Sequence, residues 1–376
     1  MSWHGIRTVA ALELRQRVRT SKWPVVLGIW LAVVALVAFL AFWATNDEDL
    51  RSGEAMYDIV IFFVLGLAML IVPSLTATSV NGDREHGVLA TLQTTLLTPW
   101  DITLGKLVAA WAIALAFLGT ALPFLAWAWV EGGVSAGGVA LSLVVLVLVL
   151  AVVCAIGLMF STLTARPVAS AVLTYLTMGA LVFGTTIGFG LSMFLVIEEE
   201  PQQVYGIPDD WWEQRPPIEV APGTELTPEQ QEELKFQGQP TPADCRRFTR
   251  RTSVAHTERI WWMLPLNPFV VVADAAPSEP RGRGEQFAAG FTPMRWISAG
   301  ARAARSGPDE LVDECAAQTA TSPETAPDPM DESLDAAPVW PFGLGFLLLA
   351  GAGAAVVSGR RLRTPIRRLP NGTRIA

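Results

Sequence analysis

The sequence has little charge for its length. Asp, Glu, Lys and Arg make up 16% of its 376 residues, whereas soluble domains contain roughly 25%. Hydrophobic residues make up 51%, and the mean hydropathy is +0.39. This composition excludes an ordinary soluble domain and predicts a protein that crosses a membrane several times.

The sequence also lacks a cationic surface and a cysteine framework. The formal net charge is -8, and no strip of basic residues alternates with aromatic ones, which argues against nucleic-acid binding. Three cysteines are too few for a disulfide scaffold or a cysteine-rich metal site. Cys154 falls in an apolar run and is interpreted as a packing residue. Cys245 and Cys315 fall in a polar segment predicted to lie outside the cytoplasm, where they could form a disulfide or stay free, because nothing local positions them.

Motifs for catalysis are missing. Gly105-Lys106 is followed by leucine and has no first glycine, so the chain contains no phosphate-binding G-x-x-x-x-G-K-[ST] loop. H-E-x-x-H does not occur, and His4, His86 and His256 are scattered. The pattern G-x-S-x-G matches residues 133–137, but these lie in a short glycine-rich turn between two apolar runs rather than between a strand and a helix, so they do not form a nucleophile elbow. The sequence therefore predicts no catalytic, cofactor-binding or metal-binding residue, and a membrane-embedded enzyme has no residues to support it.

Six uncharged apolar runs separate the polar segments. Each is long enough to cross a hydrocarbon core of about 30 Å at about 1.5 Å per residue. None contains Asp, Glu, Lys, Arg or His, whereas ion-coupled transporters and proton relays usually need such groups at membrane depth. The energy for any transport would therefore arrive from outside the bilayer. The runs cover residues 24–44, 59–80, 107–130, 139–165, 168–197 and 339–358.

The polar segments between the runs set the orientation. Arginines and lysines lie in the N-terminal segment, in the two loops on the same side and in the C-terminal tail, whereas the two short opposite loops hold only Arg51. The positive-inside rule then places both termini in the cytoplasm. Residues 1–22 are predicted to form a weakly amphipathic interfacial helix. A cleaved signal peptide is disfavoured because the following run is too long and no A-x-A site closes it. The arginine-rich usage suggests a bacterial protein of the cytoplasmic (inner) membrane.

The predicted fold is an all-α membrane protein of six transmembrane helices. Residues 1–197 hold the interfacial helix and spans 1 to 5, residues 198–338 form an acidic extracytoplasmic insertion, and residues 339–376 hold span 6 and a basic tail. The insertion contains 25 acidic and 12 basic residues. Capping boxes at Thr227 and Thr241 predict short helices, residues 260–273 predict a re-entrant or interfacial element anchored by Trp261 and Trp262, and residues 303–338 are predicted to be disordered.

A polar loop between spans 2 and 3, residues 81–106, has a specific pattern. Gly82 and Gly87 flank the charged cluster Asp83, Arg84, Glu85 and His86. Apolar residues then recur at helical spacing and predict a short amphipathic helix, at Val88, Leu89, Leu92 and Leu96. Thr98, Pro99 and Asp101 form a capping box that begins the next helix. An ordinary cytoplasmic loop with a surface helix is the competing interpretation.

This loop resembles the one between the second and third spans of type-2 ABC transporter permeases. There, a charged E-R-E-x-G-T-like cluster leads into an apolar helix, a T-P turn and a G-K pair. The sequence departs at Val88, where the family commonly has threonine, and at Asp83, where it often has glutamate. The run L-P-L-N-P-F at residues 264–269 also resembles a segment near the last spans of these permeases. The resemblance covers spans 1 to 6 but not most of the insertion.

The resemblance implies the permease subunit of an exporter, working as a homo- or heterodimer with separate cytoplasmic ATPase subunits that bind ATP and magnesium. Val88, Leu89, Leu92 and Leu96 would dock in a groove of the ATPase. Polar contacts would come from Asp83, Arg84 and Glu85, with Thr98 and Pro99 closing the loop. The alternative is a membrane receptor or scaffold that binds a ligand through the acidic insertion. The transported substrate is not indicated.

Span 5 is more polar than the others. Its candidate residues for a substrate path are Thr174, Thr177, Gly184, Thr185 and Gly188. The same residues also suit helix packing, because small residues let two helix backbones approach each other.

Overall fold

Six helices of the computed structural model are long and apolar enough to cross a membrane. The structure describes residues 2–19, 22–44, 52–85, 97–132, 134–213, 240–276, 292–319 and 333–363. Within these residues the spans run over Trp23–Ala44, Gly53–Glu85, Pro99–Val130, Ala136–Leu163, Pro167–Met193 and Trp340–Arg361. The prediction of six spans is confirmed, and the chain is a multi-pass membrane protein.

The helices that form the spans are numbered in chain order. Helix α1 covers Trp3–Val18 and precedes span 1, which is α2 (Lys22–Ala44). Span 2 consists of α3 (Ser52–Thr76) and a short continuation, α4 (Ser79–Glu85). Spans 3 and 4 are α5 (Pro99–Val130) and α6 (Ala136–Leu163). Span 5 is α7 (Pro167–Gly179), a π-helical turn (Ala180–Gly184) and α8 (Thr185–Met193).

The insertion between spans 5 and 6 contains strands as well as helices. Strand β1 (Ile197–Gly206) follows span 5, α9 covers Asp209–Glu213, and β2 covers Arg246–Ala255. Two 3-10 turns, Thr257–Arg259 and Trp261–Leu266, lead into α10 (Pro268–Ala275). Helix α11 (Pro293–Ser306), β3 (Leu311–Asp313) and α12 (Cys315–Gln318) follow, and span 6 is α13 (Trp340–Arg361).

Spans 2, 3 and 4 form the centre of the apolar core, and spans 1 and 5 lie at its edge. Buried side chains of the three central spans include Val60, Leu65, Ile113, Leu146 and Leu150. Large apolar side chains of spans 1 and 5 are exposed, as expected of surfaces that face lipid. We call the end of the bundle that carries residues 79–106 the loop end, and the opposite end the insertion end.

Two buried carboxylates attach the insertion to the spans. Asp58 of span 2 accepts hydrogen bonds from the backbone N–H groups of Met294 (2.8 Å) and Arg295 (3.0 Å), at the start of α11. Arg295 Nη1 also lies 3.3 Å from Glu54 Oε1. A carboxylate at a helix N-terminus satisfies free N–H groups and interacts favourably with the helix dipole. Helix α11 is therefore held against span 2.

Asp274 of α10 likewise caps the N-terminus of a helix, here that of span 6. Its Oδ2 accepts from the backbone N–H groups of Val339 (2.6 Å) and Trp340 (2.8 Å), where span 6 begins. Its Oδ1 accepts from Ser298 Oγ (2.9 Å) and from Arg302 Nε (2.5 Å) on α11. One side chain thus joins α10, α11 and span 6.

The prediction of an all-α protein is wrong for the insertion. Strands β1, β2 and β3 form a sheet of order β2-β1-β3, in which β1 pairs antiparallel with β2 and parallel with β3. The register joins Ile197 to Ala255 and Gly206 to Arg246. Strand β1 is polar and contains Pro201, so it lacks the alternation that identifies a strand, and its partner lies far along the chain.

Two further predictions need correction. The disorder predicted for residues 303–338 is wrong for 303–319, because α11 continues to Ser306 and β3 and α12 follow, and for 333–338, where a short helical turn contains the buried Leu334. Residues 320–332 lie outside the described residues. Glu54 and Asp58, assigned to an outer loop, lie in the helix of span 2 and are buried, because α11 supplies their partners. The capping box at Thr241 is confirmed and begins a single 3-10 turn, whereas Thr227 lies outside the described residues.

The element predicted at residues 260–273 is packed into the bundle. Helix α10 contacts spans 4 and 6, and Pro268, Val271 and Val272 are buried. Trp262 is 56% exposed, whereas Trp261 packs edge-on against Phe342 with ring centroids 5.5 Å apart.

Candidate functional site

The start of the polar loop is fastened to span 4. Ser161 Oγ accepts hydrogen bonds from the backbone N–H groups of Val80 (2.9 Å) and Asn81 (3.2 Å). The Asn81 side chain is fully buried, and its NH2 group fits the carbonyl oxygens of Ser161 (2.6 Å) and Thr164 (2.7 Å). These bonds satisfy N–H groups that the first turn of a helix leaves free.

The end of the loop is fastened to helix α1. The capping box is present: Asp101 N donates to Thr98 Oγ1 (3.2 Å), and Thr98 N donates to Asp101 Oδ2 (3.0 Å). The other carboxylate oxygen of Asp101 accepts from Ser2 N (2.9 Å), while Ser2 Oγ caps α1 by accepting from Gly5 N (3.0 Å). Asp101 therefore joins the first turn of span 3 to the first turn of α1.

A buried ion cluster connects both sides of the loop. The side chain of Lys106 on span 3 is 1% exposed, and its Nζ lies 2.5 Å from Asp83 Oδ2 on α4 and 2.9 Å from Glu13 Oε2 on α1. Lys106 Nζ also donates to the carbonyl oxygen of Ser79 (3.0 Å). Both carboxylates therefore neutralise one buried ammonium group, as a buried charge requires.

Arg17 extends this cluster to the end of α3. Its Nη2 lies 3.1 Å from Glu13 Oε1 and donates to the carbonyl oxygen of Leu75 (2.9 Å). A cation at a helix C-terminus satisfies a free carbonyl and complements the helix dipole. Burial raises the pKa of Glu13, but the charges of Lys106 and Arg17 outweigh burial, so the pKa lies below its ordinary value. Glu13 is therefore ionised at neutral pH. We call Glu13, Arg17, Asp83 and Lys106 the ion cluster.

Gly105 makes room for α1 beside the ion cluster. A Cβ atom at this position would lie 2.6 Å from Val9 Cβ and 3.0 Å from the carbonyl oxygen of Ile6. Only glycine allows α1 and span 3 to approach this closely, so the adjacent Lys106 can reach Glu13. The Gly105-Lys106 pair thus has a packing role and an electrostatic role.

Replacing Gly105 with alanine should destabilise the protein by about 1 to 3 kcal/mol, because overpacking forces α1 away from span 3. Gly119→Ala is the matched control in the same helix, since nothing lies within 4 Å of a Cβ atom there. It should be neutral or slightly stabilising because alanine favours helix. Thermal unfolding of both purified variants in detergent measures the difference. Equal melting temperatures would contradict the close approach of α1.

The residues predicted to contact an ATPase have different environments. Asp83 faces Lys106, Arg84 is half-buried, and Glu85 is exposed at the end of α4. Thr98 and Pro99 begin span 3. The apolar positions Val88, Leu89, Leu92 and Leu96 lie outside the described residues. The described residues that precede and follow the predicted docking helix are therefore packed against the bundle. The role of that helix stays a prediction.

The candidate residues of span 5 hydrogen-bond within their own helix. Thr174, Thr177 and Thr185 each donate to the carbonyl oxygen four residues earlier, at 2.7 to 2.8 Å. A Cβ atom at Gly188 would meet the flexible end of Met263, and one at Gly184 would meet only Ala180 of the same helix. Their part in a substrate path or in packing stays a prediction.

Asn267 joins span 5 to the start of α10. The sequence analysis did not predict this role. Its Nδ2 donates to the carbonyl oxygen of Val182 (2.8 Å) inside the π-helical turn of span 5. Its Oδ1 accepts from Phe269 N (2.9 Å) and caps α10. A π-helical turn disturbs the regular helical hydrogen bonds, and Asn267 supplies a donor there. The L-P-L-N-P-F run provided the signal, as an asparagine before proline is a helix start.

Two adjoining apolar cavities lie beside span 5. The one between spans 2 and 5 has a volume of about 430 Å³, and the one that α11 also lines has a volume of about 570 Å³. Both are lined by Phe62, Val182, Phe183 and Phe269. In the larger cavity, Thr186 and Asn267 add polar groups to the apolar wall.

Cys245 and Cys315 form a disulfide in the structure, with their Cα atoms 5.8 Å apart. Cys245 directly precedes β2, and Cys315 begins α12 just after β3. The bond therefore ties together the two segments that flank β1. The sequence left this pairing open because 70 residues separate the two cysteines, and the sheet brings them together. Cys154 is free and buried.

The six spans define a multi-pass membrane protein rather than a soluble one. A model of the family described as ABC-2 type transporter matches residues 4–196, just over half of the chain. The chain therefore belongs to the ABC-2 type transporter family and is a transmembrane permease component. No curated protein matches the sequence.

Proposed function

We propose that the chain is the permease subunit of an ATP-driven exporter in the cytoplasmic membrane of a bacterium. A separate ATPase subunit, which binds ATP and magnesium, would dock on the loop of residues 81–106. The ABC-2 family normally works with an ATP-binding partner, and family membership favours transport over the receptor or scaffold alternative. A second permease subunit, identical or related, would complete the membrane part.

The ion cluster is the observation that carries this proposal. Asp83 lies near the start of the loop and Lys106 is its last residue, and the two charged groups are 2.5 Å apart. A partner that pushes the loop would therefore move α4 and span 3 together rather than bend a free segment. Through Glu13 and Arg17, the same movement would reach α1 and the end of α3.

The proposed organisation follows from this transmission of force. Residues 1–197 would form the unit driven by the ATPase, with the loop end and both termini in the cytoplasm. Residues 198–338 would lie outside, and residues 339–376 would return the chain to the cytoplasm. Buried Asp58 and Asp274 support a mechanical link between the insertion and spans 2 and 6.

Cysteine cross-linking tests where the ATPase binds. Glu85 is exposed at the end of α4, so a Glu85→Cys variant should cross-link to the ATPase subunit in native membranes through a short bifunctional reagent. Arg166→Cys is the control, because Arg166 is exposed at the same end of the bundle between spans 4 and 5. It should cross-link weakly or not at all. Equal cross-linking at both positions would contradict docking at the loop.

A further inference from the structure

The exposed face of α1 carries positive charge without negative charge. Arg7, Arg15 and Arg19 are exposed. Glu13 is the one acidic residue in the α1 sequence, and it points to Lys106 on the opposite face. The ionised groups on the surface of α1 that faces away from the bundle are therefore all cations.

Large apolar side chains lie on the same exposed surface. Trp3 is 76% exposed, Val18 is 56% exposed and Leu12 is 44% exposed. Exposed tryptophan and aliphatic side chains that alternate with arginine are typical of helices in the membrane interface. The arginine stems can lie along the apolar region while their guanidinium groups reach the headgroups.

Both ends of α1 are fixed where spans enter the membrane. Its C-terminus at Val18 is separated from span 1 by a few residues only. Its N-terminus is held by Asp101 in the first turn of span 3. Helix α1 therefore lies across the ends of the spans, at the level of the lipid headgroups, rather than projecting away from the bundle.

From the charge, the apolar side chains and the position of α1, we propose that Arg7, Arg15 and Arg19 bind the headgroups of anionic phospholipids. Charge complementarity selects this partner, because each basic residue near an anionic membrane surface strengthens attachment. The opposite face of α1 holds Glu13 and Arg17 of the ion cluster. Bound anionic lipid therefore stabilises the helix to which the end of the loop is anchored.

Lipid selectivity of the full-length chain tests this proposal without any ATPase. The protein is reconstituted in nanodiscs of phosphatidylcholine and phosphatidylglycerol, and spin-labelled forms of each lipid report its relative association with the protein. The native chain should prefer phosphatidylglycerol. Arg7→Gln/Arg15→Gln should lower this preference at least about three-fold, given the contribution of each basic residue near the surface.

Two control variants separate the proposal from a general effect of charge or folding. Arg247→Gln/Arg251→Gln removes the same charge from exposed positions of β2 and should leave the preference unchanged. Arg7→Lys/Arg15→Lys keeps the charge and should retain it. An unchanged preference in Arg7→Gln/Arg15→Gln overturns the proposal. The same holds if that variant loses a co-purifying protein while its lipid preference stays the same, since the face is then a protein contact.

Discussion

Replacing Lys106 with methionine should lower the free energy of unfolding by about 2 kcal/mol, because it leaves the partly buried carboxylate of Asp83 without its cation. Glu13 retains Arg17 as a partner, whereas Asp83 loses the ammonium group that lies 2.5 Å away. The loop would then lose the connection between α4 and span 3. Thermal and denaturant unfolding in detergent measure the loss of stability, and ATP-dependent transport in membranes measures the loss of coupling.

Two further variants test whether Lys106→Met loses stability because the charge of Asp83 is left without a partner. Arg166→Met removes an exposed cation at the same end of the bundle, and it should change stability by less than about 0.5 kcal/mol, as exposed substitutions usually do. Lys106→Met/Asp83→Asn removes the stranded charge as well, so it should recover part of the stability lost in the single variant. A double variant that is as unstable as the sum of its single variants would show that the two groups do not interact.

Replacing Asp274 with alanine should destabilise the insertion end by about 3 to 5 kcal/mol, because it leaves Arg302 beside an empty site and removes the cap of span 6. The Asp274 side chain is fully buried. Asp274→Asn keeps an acceptor for the N–H groups of Val339 and Trp340, so its effect should be smaller. Hydrogen exchange should become faster in α11 and in the first turn of span 6, while α1 keeps its protection.

Asp309→Ala is the matched control for this prediction. Asp309 belongs to the same insertion but is exposed, so its loss should leave hydrogen exchange in α11 unchanged. If Asp274→Ala and Asp309→Ala have the same exchange pattern, Asp274 does not join α11 to span 6.

The spans were predictable because their signal is local. Each is a run of apolar residues whose length matches the hydrocarbon core, and the structure has a helix at each one. The capping box at Thr98 was equally predictable, since its partner Asp101 lies three residues away. Boundaries were less certain: span 2 begins before the uncharged run, because Glu54 and Asp58 are paired with α11 rather than with water.

The ion cluster was not predictable because its members come from distant parts of the chain. Glu13 and Lys106 are 93 residues apart, and no spacing rule joins them. In α1, the apolar residues Trp3 and Val18 are exposed, whereas Ile6, Val9 and Ala10 are buried. Contact with Gly105 of span 3 selects this face, and a single sequence does not contain that information.

The sheet was missed for a related reason. Its strands are held by pairing across the insertion, by the disulfide between Cys245 and Cys315, and by an ion pair between Arg250 and Glu314 with Nη2 and Oε1 2.5 Å apart. These contacts are specified by tertiary structure rather than by the local pattern. The same holds for Asn267, whose role depends on a π-helical turn in another helix.

Purification of the tagged chain from its native host in mild detergent tests the central claim most directly. A soluble ATPase with a phosphate-binding G-x-x-x-x-G-K-[ST] loop should co-purify in a stoichiometric amount, as measured by mass spectrometry. Leu92→Arg places a charge on the predicted docking helix, so it should abolish this recovery while membrane insertion stays intact. A chain that purifies alone, or that retains the ATPase equally well with arginine at position 92, would contradict docking at the loop.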